Sequence, residues 1–327
     1  MKKIIILLIT LMISITLLSC TQEESHDVYV TVYPMKYVTE EIFKGTEYTV
    51  DIVPGVTSHE TSVDWAPQEI ISMREATYLF YIGANYDQYI DQNIESIFTD
   101  EKVELVRIED ETSYIELIQG IIHSHECDYD EPEVHDDEFD DHTLGLDPHF
   151  WISPIKIQQI AALIYDKIVI KFDDPNLIME TNYLNLLSEL QELSEDYELV
   201  INNATKIALT STNIYGYLRS DYGFDYLSIS PGYHEEAEQF TSQEKEEIVN
   251  DAIDHNIQYI VYEMHTSSPL SNAVLDELVR LELNPIKVEF NILQSLSDDE
   301  VSQGHNYITV MYENLELLKL ALGYQSE

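Results

Sequence analysis

The chain has 327 residues, 44% of them hydrophobic, and sets 16 Lys and Arg against 62 Asp and Glu for a formal net charge of −46 at pH 7. That length accommodates two domains of about 150 residues with substantial cores, whereas the charge excludes a general nucleic-acid binder, which needs a basic face. The acids are spread along the whole chain, as expected of a surface adapted to high salt, where self-repulsion is screened.

Lys2 and Lys3 precede an almost unbroken apolar run from Ile4 to Leu18. At about 15 residues the run is short of the roughly 20 needed to span a bilayer, and it fits the hydrophobic region of a secretory signal. It ends in Leu17-Leu18-Ser19-Cys20, which resembles the lipobox of bacterial lipoproteins. The resemblance implies a signal over 1–19, an acylated Cys20 and a polar tether over 20–27. The expected location is therefore the outer face of the cytoplasmic membrane, held by lipid. Cys127 is the only other cysteine, so no disulfide can join two thiols of the mature domains.

The elements then follow a regular alternation. Val28, Val30 and Val32 mark a first strand. A helix through Tyr37 to Phe43, a strand at Tyr48 to Val53 and a strand at Thr77 to Ile82, closed by Gly83-Ala84-Asn85, come next. The second half repeats the rhythm, with strands at Lys206 to Leu209, Tyr226 to Ile229, Tyr259 to Tyr262 and Pro285 to Val288. Helices at Tyr215 to Asp221, Ser242 to His255 and Ser271 to Leu283 separate them. The pattern predicts an α/β fold of two lobes, 28–172 and 204–327, each a parallel sheet flanked by helices. One long helix over 173–203 joins them. Asp174-Pro175 is expected to cap it, and Leu186, Leu190, Leu193, Tyr197 and Val200 form its apolar stripe. That stripe suits a coiled-coil partner or a backbone shared by the two lobes.

The segment 123–142, HSHECDYDEPEVHDDEFDDH, belongs to neither half. Its four histidines (His123, His125, His135, His142) and ten carboxylates leave too little apolar content to fold alone. Tracts of this composition gather metal ions weakly.

Two motifs carry chemistry: Val53-Pro54-Gly55-Val56-Thr57-Ser58-His59 and Leu146-Asp147-Pro148-His149-Phe150-Trp151. A loop opening on Pro54-Gly55 can aim His59 inward from the C-terminal end of a strand, where open α/β sheets place their ligands. Neutral imidazole suits divalent zinc, and serves manganese with carboxylate help. In this order, after a His/acid-rich loop, the motifs resemble those of the zinc/manganese solute-binding receptors of bacterial ABC importers. Ile214-Tyr215-Gly216-Tyr217-Leu218 is similar to that family's AFGYL element, and Asn306 to Leu315 to its closing helix.

The resemblance implies a receptor that holds Zn2+ (alternatively Mn2+) between modestly closing lobes and docks on an ABC permease. It implies a monomer tethered by its lipid, with no nucleic-acid partner. It also implies that His59 and His149 are ligands. At the family's third and fourth ligand positions this chain carries Thr212 and Gln294, neither a strong zinc ligand. His234 is the first candidate replacement and Glu263 the second, with Glu235, Glu236 and His265 close by in sequence; Glu60 stands beside His59. An alternative use of the scaffold is surface adhesion with a degenerate metal site. Two histidines, an acid and an open position could also activate water. Nothing in the sequence supplies a general base and a substrate pocket together, so the chain is not expected to be an enzyme.

Overall fold

A parallel strand pair requires a crossover connection, and alternating short apolar strands with amphipathic helices supplies one each time. The computed structural model describes residues 25–56, 62–99, 102–121, 143–233, 235 and 241–325. The signal segment, Cys20 and the stretch 123–142 with its four histidines lie outside the described residues.

The first half runs β1 (Val28–Val30), α1 (Tyr33–Phe43), β2 (Val50–Ile52), α2 (Pro67–Glu75), β3 (Tyr78–Tyr81), α3 (Gln88–Asp91) and β4 (Glu104–Arg107). Its four strands form a parallel sheet in the order β2-β1-β3-β4. Helix α1 begins a turn before the expected Tyr37, because Pro34 sits in its first turn, where proline's missing N–H costs nothing. A ribbon of β5 (Gln119–Ile121) and β6 (Thr143–Leu146) pairs antiparallel across the segment that lies outside the described residues.

Two helices follow, α4 (Pro154–Lys171) and α5 (Ile178–Asn202). Asp174 does not occupy the cap position of α5, as its pairing with Pro175 suggests. Leu177, in the left-handed region at φ 54°, is the residue before the helix. The Asp174 carboxylate still serves the helix from a distance, accepting from the amides of Ile178 (2.7 Å), Met179 (2.9 Å) and Glu180 (3.3 Å). Three otherwise orphaned donors are thereby satisfied by one anion at the positive end of the helix.

The second half runs β7 (Ala208–Thr210), α6 (Gly216–Tyr222), β8 (Tyr226–Ser228), α7 (Ser242–Asp254), β9 (Tyr259–Glu263), α8 (Pro269–Arg280), β10 (Ile286–Phe290), α9 (Asp298–Ser302) and α10 (Tyr307–Ala321). Its sheet is parallel in the order β10-β9-β7-β8. Thr241 and Glu244 cap α7 reciprocally: the Thr241 hydroxyl accepts from the Glu244 amide (3.2 Å) and the Glu244 carboxylate from the Thr241 amide (2.6 Å).

The apolar stripe of α5 faces its own chain. Leu186, Leu190, Leu193, Tyr197 and Val200 are buried in one core that continues from the first half into the second, and each such side chain contributes roughly 1.5–3 kcal/mol of burial. Near its start Asn182 donates to the carbonyls of Ile42 (3.1 Å) and Lys44 (2.7 Å). Farther along, Tyr197 donates to the carbonyl of Met311 in α10 (2.8 Å). The helix is a backbone shared by both halves. Among the described residues no helix is long and apolar enough to cross a membrane.

Candidate metal centre

In the first half, the chain leaves β6 into Asp147-Pro148-His149 and reaches α4 through a single turn of 3-10 helix, Phe150–Ile152. Asp147 Oδ1 accepts from both the His149 amide and the His149 Nδ1, each at 2.9 Å. A carboxylate can only accept, so Nδ1 carries a proton, and in the neutral ring the lone pair then falls on Nε2. Imidazoles that bind metal are oriented this way, by a carboxylate on the other ring nitrogen. Both residues are 1% exposed. The His149 ring lies edge-on to Tyr233, centroids 4.8 Å apart, and tilted against Trp151 at 5.3 Å.

Asp147 is itself held by the second half. Its carbonyl accepts from Tyr217 Oη at 2.7 Å, and a Cβ at position 216 would lie 2.8 Å from Asp147 Oδ2. Gly216 therefore permits α6 to approach the carboxylate. Burial, followed by the charge of Asp147, pushes the Tyr233 phenol well above its ordinary range, so it stays neutral beside His149.

The Pro54-Gly55 turn follows β2 as expected, with Gly55 at φ +75°. Trp65 closes the base of the loop by donating Nε1–H to the Pro54 carbonyl at 2.9 Å. Its ring packs against Tyr89 and Phe98. His59 and Glu60 lie outside the described residues.

In the second half, Ser211-Thr212-Asn213 leaves the C-terminal end of β7 fully buried. Thr212 Oγ1 donates to Glu263 Oε1 at 2.7 Å, and the Glu263 amide donates to Ser211 Oγ at 3.3 Å. Glu263, the last residue of β9, is 4% exposed. Asn213 ties down the next loop: its amide donates to the Gly232 carbonyl (3.0 Å), its Nδ2 to that of Pro231 (3.1 Å), and its Oδ1 accepts from Tyr226 Oη (2.6 Å). That loop carries Tyr233 to His149. His234 and Glu236 lie outside the described residues.

Glu235 and His265 take roles their place in the sequence does not reveal. The Glu235 carboxylate caps α8, accepting from the amides of Leu270 (2.7 Å) and Ser271 (3.2 Å) and from Ser271 Oγ. Burial raises its proton affinity, these donors lower it, and the Glu263 charge adds to the upward push. Its oxygens are committed to the helix N-terminus. His265, at φ 65°, is 76% exposed at the side chain and 3.9 Å from Glu300, unlike the buried Glu263 two residues before it.

Gln294 points its amide at the first half, donating Nε2–H to Tyr86 Oη at 2.8 Å. Among the described residues no three His, Cys, Asp or Glu side chains are grouped closely enough to hold a metal. Of the four expected ligands, His149 is buried just after β6 and Glu263 at the C-terminal end of β9. Sequence reading missed Thr212 as the donor to Glu263, Tyr233 as the wall beside His149, and the Gln294–Tyr86 contact; no spacing signals any of them.

Two parallel-sheet lobes on a shared helix, with a buried, carboxylate-oriented imidazole between them, define a two-lobed binding protein rather than a single-sheet fold. Residues 28–321 match the family described as zinc-uptake complex component A, periplasmic, and the chain belongs to that family of solute-binding receptors. It is 26% identical over 326 residues to the zinc-binding lipoprotein AdcA of Streptococcus pneumoniae (strain ATCC BAA-255 / R6), covering 98% of this chain and 61% of that protein. It is also 26% identical over 303 residues to the high-affinity zinc uptake system protein ZnuA of Bacillus subtilis (strain 168), covering 91% and 88%. Against the AdcA proteins it spans about three-fifths of their length. The crystal structure of the metal-dependent lipoprotein YcdH from Bacillus subtilis superposes with a TM-score of 0.70 at 24% identity, covering 91% of this chain and 99% of that one, and so shares its fold.

Proposed function

We propose that this chain is the extracytoplasmic receptor that captures zinc and delivers it to an ABC importer. The observation that carries the reading is His149: buried between the lobes, with Asp147 on Nδ1 and the lone pair on Nε2. Neutral imidazole in that tautomer is a zinc ligand, and the zinc-uptake relatives point to the same ion.

The ligand set we assign is His59 and His149 from the first lobe and His234 and Glu263 from the second. Glu263 supplies an anion from a buried position that Thr212 already orients. His234 follows Tyr233, whose ring touches His149. An N3O set of this kind suits zinc, and a single carboxylate makes it a poorer home for manganese, which favours oxygen. The stretch with His123, His125, His135 and His142 would raise the local metal supply. Acylation at Cys20 would hold the receptor close to its permease, where tethering raises effective concentration. Adhesion on the same scaffold is not favoured, since it rests on the fold alone.

The test is competition between the purified protein and a chromophoric chelator for zinc chloride, with manganese chloride in parallel. Tight zinc binding, lost by about a hundredfold or more in His149→Ala and His234→Ala, supports the assignment. Unchanged affinity in either variant removes that residue from the set.

A further inference from the structure

Past the C-terminal end of β10 the chain makes a turn that the side chain of Asn314, on α10, builds from beneath. The Asn291 amide donates to Asn314 Oδ1 (2.9 Å), Asn314 Nδ2 donates to the Asn291 carbonyl (2.7 Å), and the Leu293 amide donates to Asn291 Oδ1 (2.8 Å). Asn314 is 1% exposed, and Leu293 is held in the left-handed region at φ 57° while its side chain is buried. A non-glycine residue keeps that conformation only where its surroundings over-determine it.

The turn hands three groups, from Ile292 and Gln294, to the other lobe. The Ile292 carbonyl accepts from Trp151 Nε1 at 2.7 Å, the Gln294 carbonyl from the Tyr33 amide at 3.3 Å, and Gln294 Nε2 donates to Tyr86 Oη at 2.8 Å. Tyr86 stands edge-on to Trp151 with centroids 5.7 Å apart, and Trp151 lies against His149. Trp151 is fully buried, and Tyr307 Oη donates to its carbonyl at 2.8 Å. One continuous packed series thus runs from Gln294 through Tyr86 and Trp151 to the imidazole.

We infer that Asn291–Gln294 is an inter-lobe clasp made wholly by groups of the chain itself, and so able to close without metal, and that Gln294 is a positioning residue which sets the His149 ring through Tyr86 and Trp151. The side chain at the position where the family places an acidic ligand has been turned to fastening the lobes. The inference rests on the zinc-receptor reading only for what His149 does; every contact of the clasp itself is between groups of the chain.

Two measurements on the purified protein test it. The first is amide hydrogen exchange at Tyr33, Asn291 and Leu293, without metal and with zinc chloride. Protection already present without metal and unchanged by zinc is expected, with Gln294→Ala speeding exchange at Tyr33 at least tenfold. Protection that develops only with zinc overturns the clasp. The second is zinc affinity of Tyr86→Phe, Gln294→Ala and the double variant. Each single change should weaken affinity about threefold to tenfold, the worth of one hydrogen bond, and the double variant no more than the worse single, because both cut the same link. Loss in Gln294→Ala with none in Tyr86→Phe would instead make Gln294 a direct ligand, and a lowered melting temperature with affinity intact would make the contact merely structural; either result overturns the positioning role. If the unmodified protein fails to bind zinc, the receptor reading fails, and the exchange experiment still decides the clasp.

Discussion

Thr212 Oγ1 donates to Glu263 Oε1 at 2.7 Å, joining the threonine at the expected third-ligand position to a buried carboxylate at the end of β9. A hydroxyl cannot replace an imidazole, but it can hold and orient an anion. The threonine and the buried acid are thus parts of one local arrangement.

Thr212→Val keeps the shape and removes the donor. The Glu263 carboxylate then loses its side-chain partner in a buried setting, which costs about 1–3 kcal/mol. Thermal and urea unfolding of the metal-free protein should show that loss. Added zinc should restore part of it, because a ligand that binds only the folded state stabilises it.

Asp147→Asn separates orientation from ligation. The amide can still meet the His149 amide, but it no longer offers Nδ1 an anion, so the ring is less firmly held and its tautomer less firmly set. Zinc affinity is expected to fall about 10- to 100-fold, as for other carboxylates that support a metal-bound histidine. Competition with a chromophoric chelator reads the change directly.

Gly216→Ala places a methyl group 2.8 Å from Asp147 Oδ2. The carboxylate or α6 must shift, and overpacking of this kind costs about 1–3 kcal/mol. We expect a lower melting temperature together with weakened zinc binding, because the displaced group is the one that orients His149. A fall in melting temperature with no change in affinity would show that the close contact serves packing alone.

Asp87, fully buried at the end of the first-lobe sheet, makes the pH dependence of stability testable away from the metal. Its Oδ2 accepts from the Ile82 and Gly83 amides and its Oδ1 from Tyr89 Oη, yet burial outweighs these donors and pushes the carboxyl up to about 7. The folded state therefore keeps a proton that the unfolded chain, with an ordinary carboxyl, gives up above about pH 4. Its contribution is complete below that value and disappears as pH rises through 7, so stability falls across this interval by something on the order of a few kcal/mol. Urea midpoints for the metal-free protein at pH 5 and pH 8 measure the slope, and Asp87→Asn should flatten it.

Much of this architecture was legible in the sequence. Short apolar strands alternating with helices gave the parallel sheets, since each strand must bury both faces under its crossovers. The leucine and tyrosine stripe identified α5, although not that its stripe faces its own chain, because periodicity specifies an apolar face and not what covers it. Asp147-Pro148-His149 marked His149 as a candidate ligand, and the hydrogen bonds that orient its ring are local because the two partners are two residues apart. Asp174 was recognisable as serving α5, but its exact reach was not, since one carboxylate can cap from several positions.

What only the tertiary structure decided is everything that joins residues distant in sequence. Thr212 meets Glu263, Tyr233 meets His149, Glu235 caps α8 and Gln294 reaches Tyr86 across the lobes. None of these pairs is set by spacing. Each depends on which strand ends converge once two sheets pack on one helix, and that convergence is fixed by the burial of a shared core. The sequence by itself determined the elements and the oriented histidine; the folded core determined which side chains that histidine would face.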